Sequence, residues 1–210
     1  MKRKNVIILL AVIAALIAMF YSFQGSQDDP AYVEQIEQER KDRERFLKTS
    51  KESPFASNPD DFKGLNYFPV DSRYRIMAQF EPIKERKAVL LQTNDGKTQR
   101  YLEYGWAEFK LDGVANRLLI LEVADMGPFR GQLLLAFGDA TSAVETYGAG
   151  RYLDLTKVPG ATSITLDFNR AYNPYCAYNE TFSCPLPPKE NLLSIPIRAG
   201  EKNYEPERAH

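Results

Sequence analysis

Residues 88–123 read AVLLQTNDGKTQRYLEYGWAEFKLDGVANRLLILEV, and the fold is decided here. Asn94-Asp95-Gly96 lies between the apolar-rich segments Ala88–Gln92 and Arg100–Glu103. Asn, Asp and Gly tolerate the positive φ that a tight hairpin turn needs, so the pattern predicts two antiparallel strands. Asp112-Gly113 repeats the signal between Trp106–Leu111 and Asn116–Val123. Within the last segment Leu118–Leu121 is an unbroken apolar run, which predicts a central strand covered on both faces.

Outward from this pair of hairpins the signals stay β. Tyr74–Phe80 alternates, with Tyr74, Ile76 or Met77, and Phe80 toward a buried side. Leu133–Phe137 is a second continuous apolar run, and Ser163–Phe168 and Leu192–Ile197 complete the set. About eight short strands joined by glycine turns predict a mainly β domain, an antiparallel β-barrel or sandwich.

The N-terminal part differs in kind. Lys2, Arg3 and Lys4 precede the uncharged stretch Val6–Phe23, whose eighteen residues span about 27 Å as a helix. Phe20, Phe23 and Gln24 suit signal cleavage poorly, so the segment reads as a transmembrane helix that stays attached, with a cleaved signal peptide as the alternative. Basic residues remain cytoplasmic, which places everything after them outside the cell membrane, periplasmic or extracellular. Asp28 and Asp29 before Pro30 mark the start of a second, charged helix with a sparse stripe of Val33, Ile36, Phe46 and Leu47. The remaining charges read as a hydrated face. Ser53-Pro54 and Asn58-Pro59 end it. The expected organisation is an anchor or signal at 1–24, a charged helical linker at 25–54, a globular β domain at 55–204 and a frayed tail at 205–210.

Several chemistries are excluded. The only histidine is His210, so there is no Ser-His-Asp triad, Cys-His pair or His-based zinc site. Neither GxxxxGK[ST] nor GxGxxG occurs. Net charge is −1, and −4 once Lys2, Arg3 and Lys4 are set aside, against a nucleic-acid partner. No metal and no cofactor is expected.

The least regular segment, Asp167–Leu193, reads DFNRAYNPYCAYNETFSCPLPPKENLL. Pro174, Pro185, Pro187 and Pro188 keep it from being one helix or a central strand, so it predicts a long loop over the sheet. Cys176 and Cys184 lie inside it, and in an oxidising compartment their spacing predicts a disulfide staple; a redox pair or metal ligands are the other readings. With TYGAGRYLDL at Thr146–Leu155, AGEKNY at Ala199–Tyr204 and DDFKGLNYFPVDSRYRI at residues 60–76, the segment resembles the bacterial and archaeal domain-of-unknown-function family 1684. That resemblance spans roughly residues 55 to 204 and implies a compact, mainly β domain. It marks Arg151, Asp167, Asn169, Arg170, Asn173, Cys176, Cys184, Glu190, Asn191 and Glu201 as motif positions, and implies a role for none of them.

From their chemistry, these residues and Tyr172 have two readings. Arg151 and Arg170 suit a bidentate grip on a carboxylate or phosphate, which makes Arg151, Arg170, Tyr172 and Glu190 the expected lining of a pocket for a small anionic or polar ligand. As structural pins, Arg170 would pair with Asp167 and Arg151 with Glu190, while Asn169, Asn173 and Asn191 satisfy loop backbone groups. Two of Asp167, Glu190 and Glu201 would make a carboxylate-dependent hydrolase if they faced one another across about 5–10 Å. The function expected is therefore a membrane-tethered ligand-binding domain, with a hydrolase or an envelope scaffold as alternatives.

Overall fold

In the computed structural model, which describes residues 29–125 and 127–204, the longest hairpin organises the rest. Strands β3 (Thr98–Leu111) and β4 (Val114–Val123) pair antiparallel from Leu111↔Val114 to Tyr101↔Val123. Asp112 and Gly113 turn the corner with φ of 49° and 80°, the conformation that this dipeptide predicts. The register shifts between Glu103 and Gly105. A Cβ at Gly105 would clash with the Phe80 ring, so glycine lets the bulged strand bend over its neighbour.

That bend splits the far edge of β3 between two partners. Its C-terminal half pairs with β1 (Arg75–Pro82), and its N-terminal half with β2 (Ala88–Gln92). Strands β5 (Leu133–Phe137), β6 (Arg151–Leu155) and β7 (Ser163–Asp167) complete an all-antiparallel sheet of order β6-β5-β4-β3-β1-β7. It curls into a half-barrel: β6 and β7, at opposite ends of the order, approach each other without forming a ladder. The expected class, mainly β and antiparallel, is what forms.

Leu118 and Ile120 face the main core with Phe109, Leu135, Phe137, Leu166 and Phe168. Leu119 and Leu121 face a second cluster with Leu91, Tyr101 and Val123. The unbroken apolar run is thus explained by burial on both faces. In β1 the inward residues are Ala78 and Phe80, whereas Met77 is 70% exposed. Leu192–Ile197 is not a strand; apart from a single bridge, Gly138↔Leu192, it runs as irregular chain. It is held by backbone bonds from Leu193 N–H to the Gly138 carbonyl and from Ala140 N–H to the Ile195 carbonyl, and at Ile197 by the side chains of Asp139 and Arg151.

The sole α-helix among the described residues is α1 (Pro30–Thr49). Asp29 caps it, accepting from the Ala31 N–H at 3.0 Å, with Pro30 in the first turn. Its buried residues are Tyr32, Ile36, Arg40 and Leu47, a stripe at helical spacing. Val33 is half-buried and Phe46 exposed, so the expected stripe is rotated and now includes an arginine. The helix packs on the β domain, and the Tyr32 hydroxyl donates to Asp167 at 2.8 Å. The stretch Val6–Phe23 and the tail 205–210 lie outside the described residues. Among those described, no helix is long and apolar enough to cross a membrane.

Candidate functional site

The residues singled out in the sequence divide into two sets, those that pin the long loop and those that face a cavity. Arg151, on β6, is 1% exposed. It donates to Asp139 Oδ2 at 2.9 Å and to the carbonyls of Ile197 at 2.8 Å, Glu201 at 3.1 Å and Ala199. Asp139 in turn accepts the Ile197 N–H at 3.1 Å. The pair fastens the terminal segment to the sheet. Arg151 pins, but to Asp139 rather than to the expected Glu190, which is exposed and whose ion-pair partner among the described residues is Lys189 at 4.0 Å.

Asn191 fills a gap in the sheet. The β4–β5 ladder consists of Leu121↔Leu134 and Glu122↔Leu133, and beyond it the strands diverge. There the Asn191 amide accepts from Leu119 N–H at 2.6 Å and donates to the carbonyls of Leu119 at 2.9 Å and Ala136 at 2.8 Å. One side chain replaces the missing rungs. Asn169 does similar work for the 168–172 turn, bonding both backbone groups of Asp71 at 3.0 and 2.8 Å.

Glu201 is wholly enclosed. Its carboxylate accepts from Asn173 N–H at 3.2 Å, Asn173 Nδ2 at 2.8 Å and the Tyr178 hydroxyl, with Arg43 Nε at 3.6 Å. Burial outweighs these partners and raises its pKa above the ordinary glutamate range. Of the three acids considered for hydrolysis, Glu201 is sealed, Glu190 faces solvent and Asp167 borders an open groove. The fold does not bring two of them to one cavity.

Cys176 and Cys184 are adjacent, buried and in the thiol form; the expected disulfide is not formed in this structure. The loop is already closed by hydrogen bonds: Cys176 N–H to Cys184 Sγ at 3.3 Å, and Cys184 N–H to Asn94 Oδ1 at 2.7 Å. The bond from Cys184 draws the Cys176 thiol down to about 7, while Cys184 is pushed up. No group of three or more His, Cys, Asp or Glu side chains among the described residues is placed to hold a metal ion.

The cavity opens between α1 and the 169–172 segment. It has a volume of about 240 Å³ and is lined by Ile36, Glu39, Arg40 and Arg43 from the helix, opposite Tyr67, Asp154 and Asn169–Tyr172. Arg40 is 9% exposed, with its guanidinium 4.5 Å above the Tyr67 ring. Its Nη1 reaches Glu37 at 3.0 Å, but Nε and Nη2 are buried and have no acceptor among the described residues, where the Tyr67 hydroxyl has no partner either. Arg43 lies 4.4 Å over Tyr172 and donates to the Asn173 carbonyl at 3.3 Å. Arg170 is held by both Glu39 oxygens at 2.7 Å and lies 3.7 Å from Asp167. Tyr172 donates to Asp154 at 2.7 Å. Burial raises the Tyr67 phenol well above its usual range, so it remains a donor at neutral pH.

Of the four residues expected to line a pocket between the β framework and the 169–191 loop, Arg170 and Tyr172 line this cavity against the helix, and Arg151 and Glu190 do not. Reading the sequence alone missed Arg40 and Arg43, which stood among the charges taken for a hydrated face. The available signal was the four-residue spacing of Tyr32, Ile36 and Arg40, which continues an apolar stripe into a cation.

A family model described as "Protein of unknown function (DUF1684)" matches residues 60–202. Among solved structures, the chain is similar to an uncharacterised protein of Haloarcula marismortui determined by solution NMR, at 37% identity and a TM-score of 0.63, covering 82% of this chain and 94% of that one. No curated protein matches it. By the span of that match the chain belongs to the DUF1684 family.

Proposed function

We propose that this protein is a membrane-tethered, extracytoplasmic β domain that binds a small anion in the cleft between α1 and the 169–172 segment. The observation that carries this reading is Arg40, nine-tenths buried with Nε and Nη2 unpartnered. A buried donor without an acceptor costs about 1–3 kcal/mol, more when it is charged. An oxyanion placed against the Nε–Nη2 edge accepts two parallel bonds and removes that cost. The tether rests on the basic flank and apolar stretch of the N-terminus. On the same reading the two neighbouring thiols meet an oxidising compartment, where a dithiol-oxidising partner would close them.

Isothermal titration of the full chain with acetate and with inorganic phosphate tests the site. Saturable binding that is lost in Arg40→Met supports it; equal heats for wild type and variant reject it. The variant carries a second expectation: without added anion it unfolds at a higher temperature than wild type, because its methylenes replace unpaired buried donors. Binding is favoured over two-carboxylate hydrolysis because Glu190 and Glu201 face no common cavity with Asp167.

A further inference from the structure

The arginine cavity does not end at Arg170. Asp154 and Arg170 also line a second cavity of about 400 Å³, so the two share a wall. This second space occupies the seam of the half-barrel, where β6 and β7 face each other without pairing. Its walls carry Met77, Phe80, Tyr104, Leu155, Val158 and Ile164. Met77 is 70% and Val158 58% exposed, although both lie on a cavity wall beside other apolar side chains. Isolated apolar residues on a surface mean little; several of them along an open groove that adjoins a cationic pocket, with polar groups beside them, suit an amphiphile.

We infer that the ligand of the anion site is a single-chain alkyl carboxylate, its head on Arg40 beside Tyr67 and Arg43 and its hydrocarbon chain along the β6–β7 seam. This deepens the anion-binding reading and rests on it. The head group is a carboxylate for two reasons. The free edge of Arg40 offers two parallel donors, the match of two carboxylate oxygens. Glu39 and Asp154 also line the cavity, and their negative charge disfavours a dianionic phosphate more than a monoanion. The chain is apolar because Met77, Phe80, Tyr104, Leu155, Val158 and Ile164 give it side chains to pack against along the seam. Each methylene removed from water contributes about 0.8 kcal/mol, so affinity is set largely by chain length until the seam is filled.

The test uses the full chain in maltoside micelles, whose head groups are uncharged, and reads the unfolding midpoint with acetate, butanoate, octanoate and octyl phosphate at equal concentration. The shift is expected to grow from acetate to octanoate, to be lost for all of them in Arg40→Met, and to become independent of length in Met77→Asp/Val158→Asp. Those two positions are solvent-exposed, so this variant is expected to keep the wild-type midpoint without ligand. A shift with acetate that octanoate does not exceed overturns the chain in the seam while leaving the anion site standing. A larger shift with octyl phosphate than with octanoate overturns the carboxylate head. No shift with any anion overturns the anion site and this inference with it.

Discussion

Arg151 and Arg40 are both nine-tenths or more buried, and the fold treats them in opposite ways. Arg151 leaves only Nε without a partner and spends Nη1 and Nη2 on Asp139 and three carbonyls. Arg40 spends Nη1 on Glu37 and leaves the edge between Nε and Nη2 unmet. The loop that looked most functional, 167–193, is fastened through Asn169, Asn173 and Asn191. The helix that looked most solvated supplies the unmet charge. A buried arginine whose donors are consumed is part of the framework, and one whose donors are not is waiting for an acceptor.

The comparison is broken most directly at Arg151. Arg151→Met strands Asp139 and leaves the Ile197, Ala199 and Glu201 carbonyls without their donor. Removing one partner of a buried pair typically costs about 3–5 kcal/mol, a large share of a single domain's stability. Chemical denaturation should show that loss. A midpoint as high as that of Arg40→Met would erase the distinction between pin and site.

A smaller, pH-dependent effect belongs to Glu201. Burial raises its carboxyl, so the folded chain holds that proton to higher pH than the unfolded chain does. Its contribution is complete below the ordinary glutamate value of about 4.3 and is lost as pH rises through the raised folded value. Glu201→Gln has no such titration. The stability of wild type relative to the variant should therefore be greatest in acid and decline upward from about pH 4.3; a flat difference from pH 4 to pH 8 would show that Arg43 and Tyr178 hold the group at its ordinary value.

How much of this was legible in the sequence follows from range. The hairpins at Asn94-Asp95-Gly96 and Asp112-Gly113 are local turn chemistry, and Leu118–Leu121 is a local pattern, so the sheet could be read directly. Register in β1 was ambiguous because Ile76 and Met77 are equally apolar; only pairing with Thr165 and Leu166 of β7 sets which one turns outward. Asn191 bonds residues 55 and 72 positions away, and Arg151 bonds one 12 away and others 46 to 50 away. Such partners cannot be chosen from spacing, which is why Glu190 stood in for Asp139. Arg40 and Arg43 lie upstream of the span matched by the family model, on a helix whose polar composition concealed a docked face.

Arg170 carries the smallest effect and the finest distinction, because it borders both cavities. Its side chain is 43% exposed, and its partner Glu39 is equally open at 42%. A pair this exposed is worth about 0.2–1 kcal/mol even with bidentate geometry, since solvent screens it. Asp167, its other neighbour, keeps Tyr32 and Asn169 as donors when the guanidinium is gone. Arg170→Ala should therefore lower the unfolding free energy by less than about 1 kcal/mol, and Glu39→Gln by a similar amount, with a double variant little worse than either. Octanoate binding should respond differently. Removing Arg170 takes away part of the wall that the two cavities share and frees Glu39 beside the carboxylate, so affinity falls while folding barely changes. A double-mutant cycle for stability, run beside octanoate titrations of the same proteins, separates the two. If Arg170→Ala costs as much stability as Arg151→Met, Arg170 is another pin and the site ends at Arg40 and Arg43.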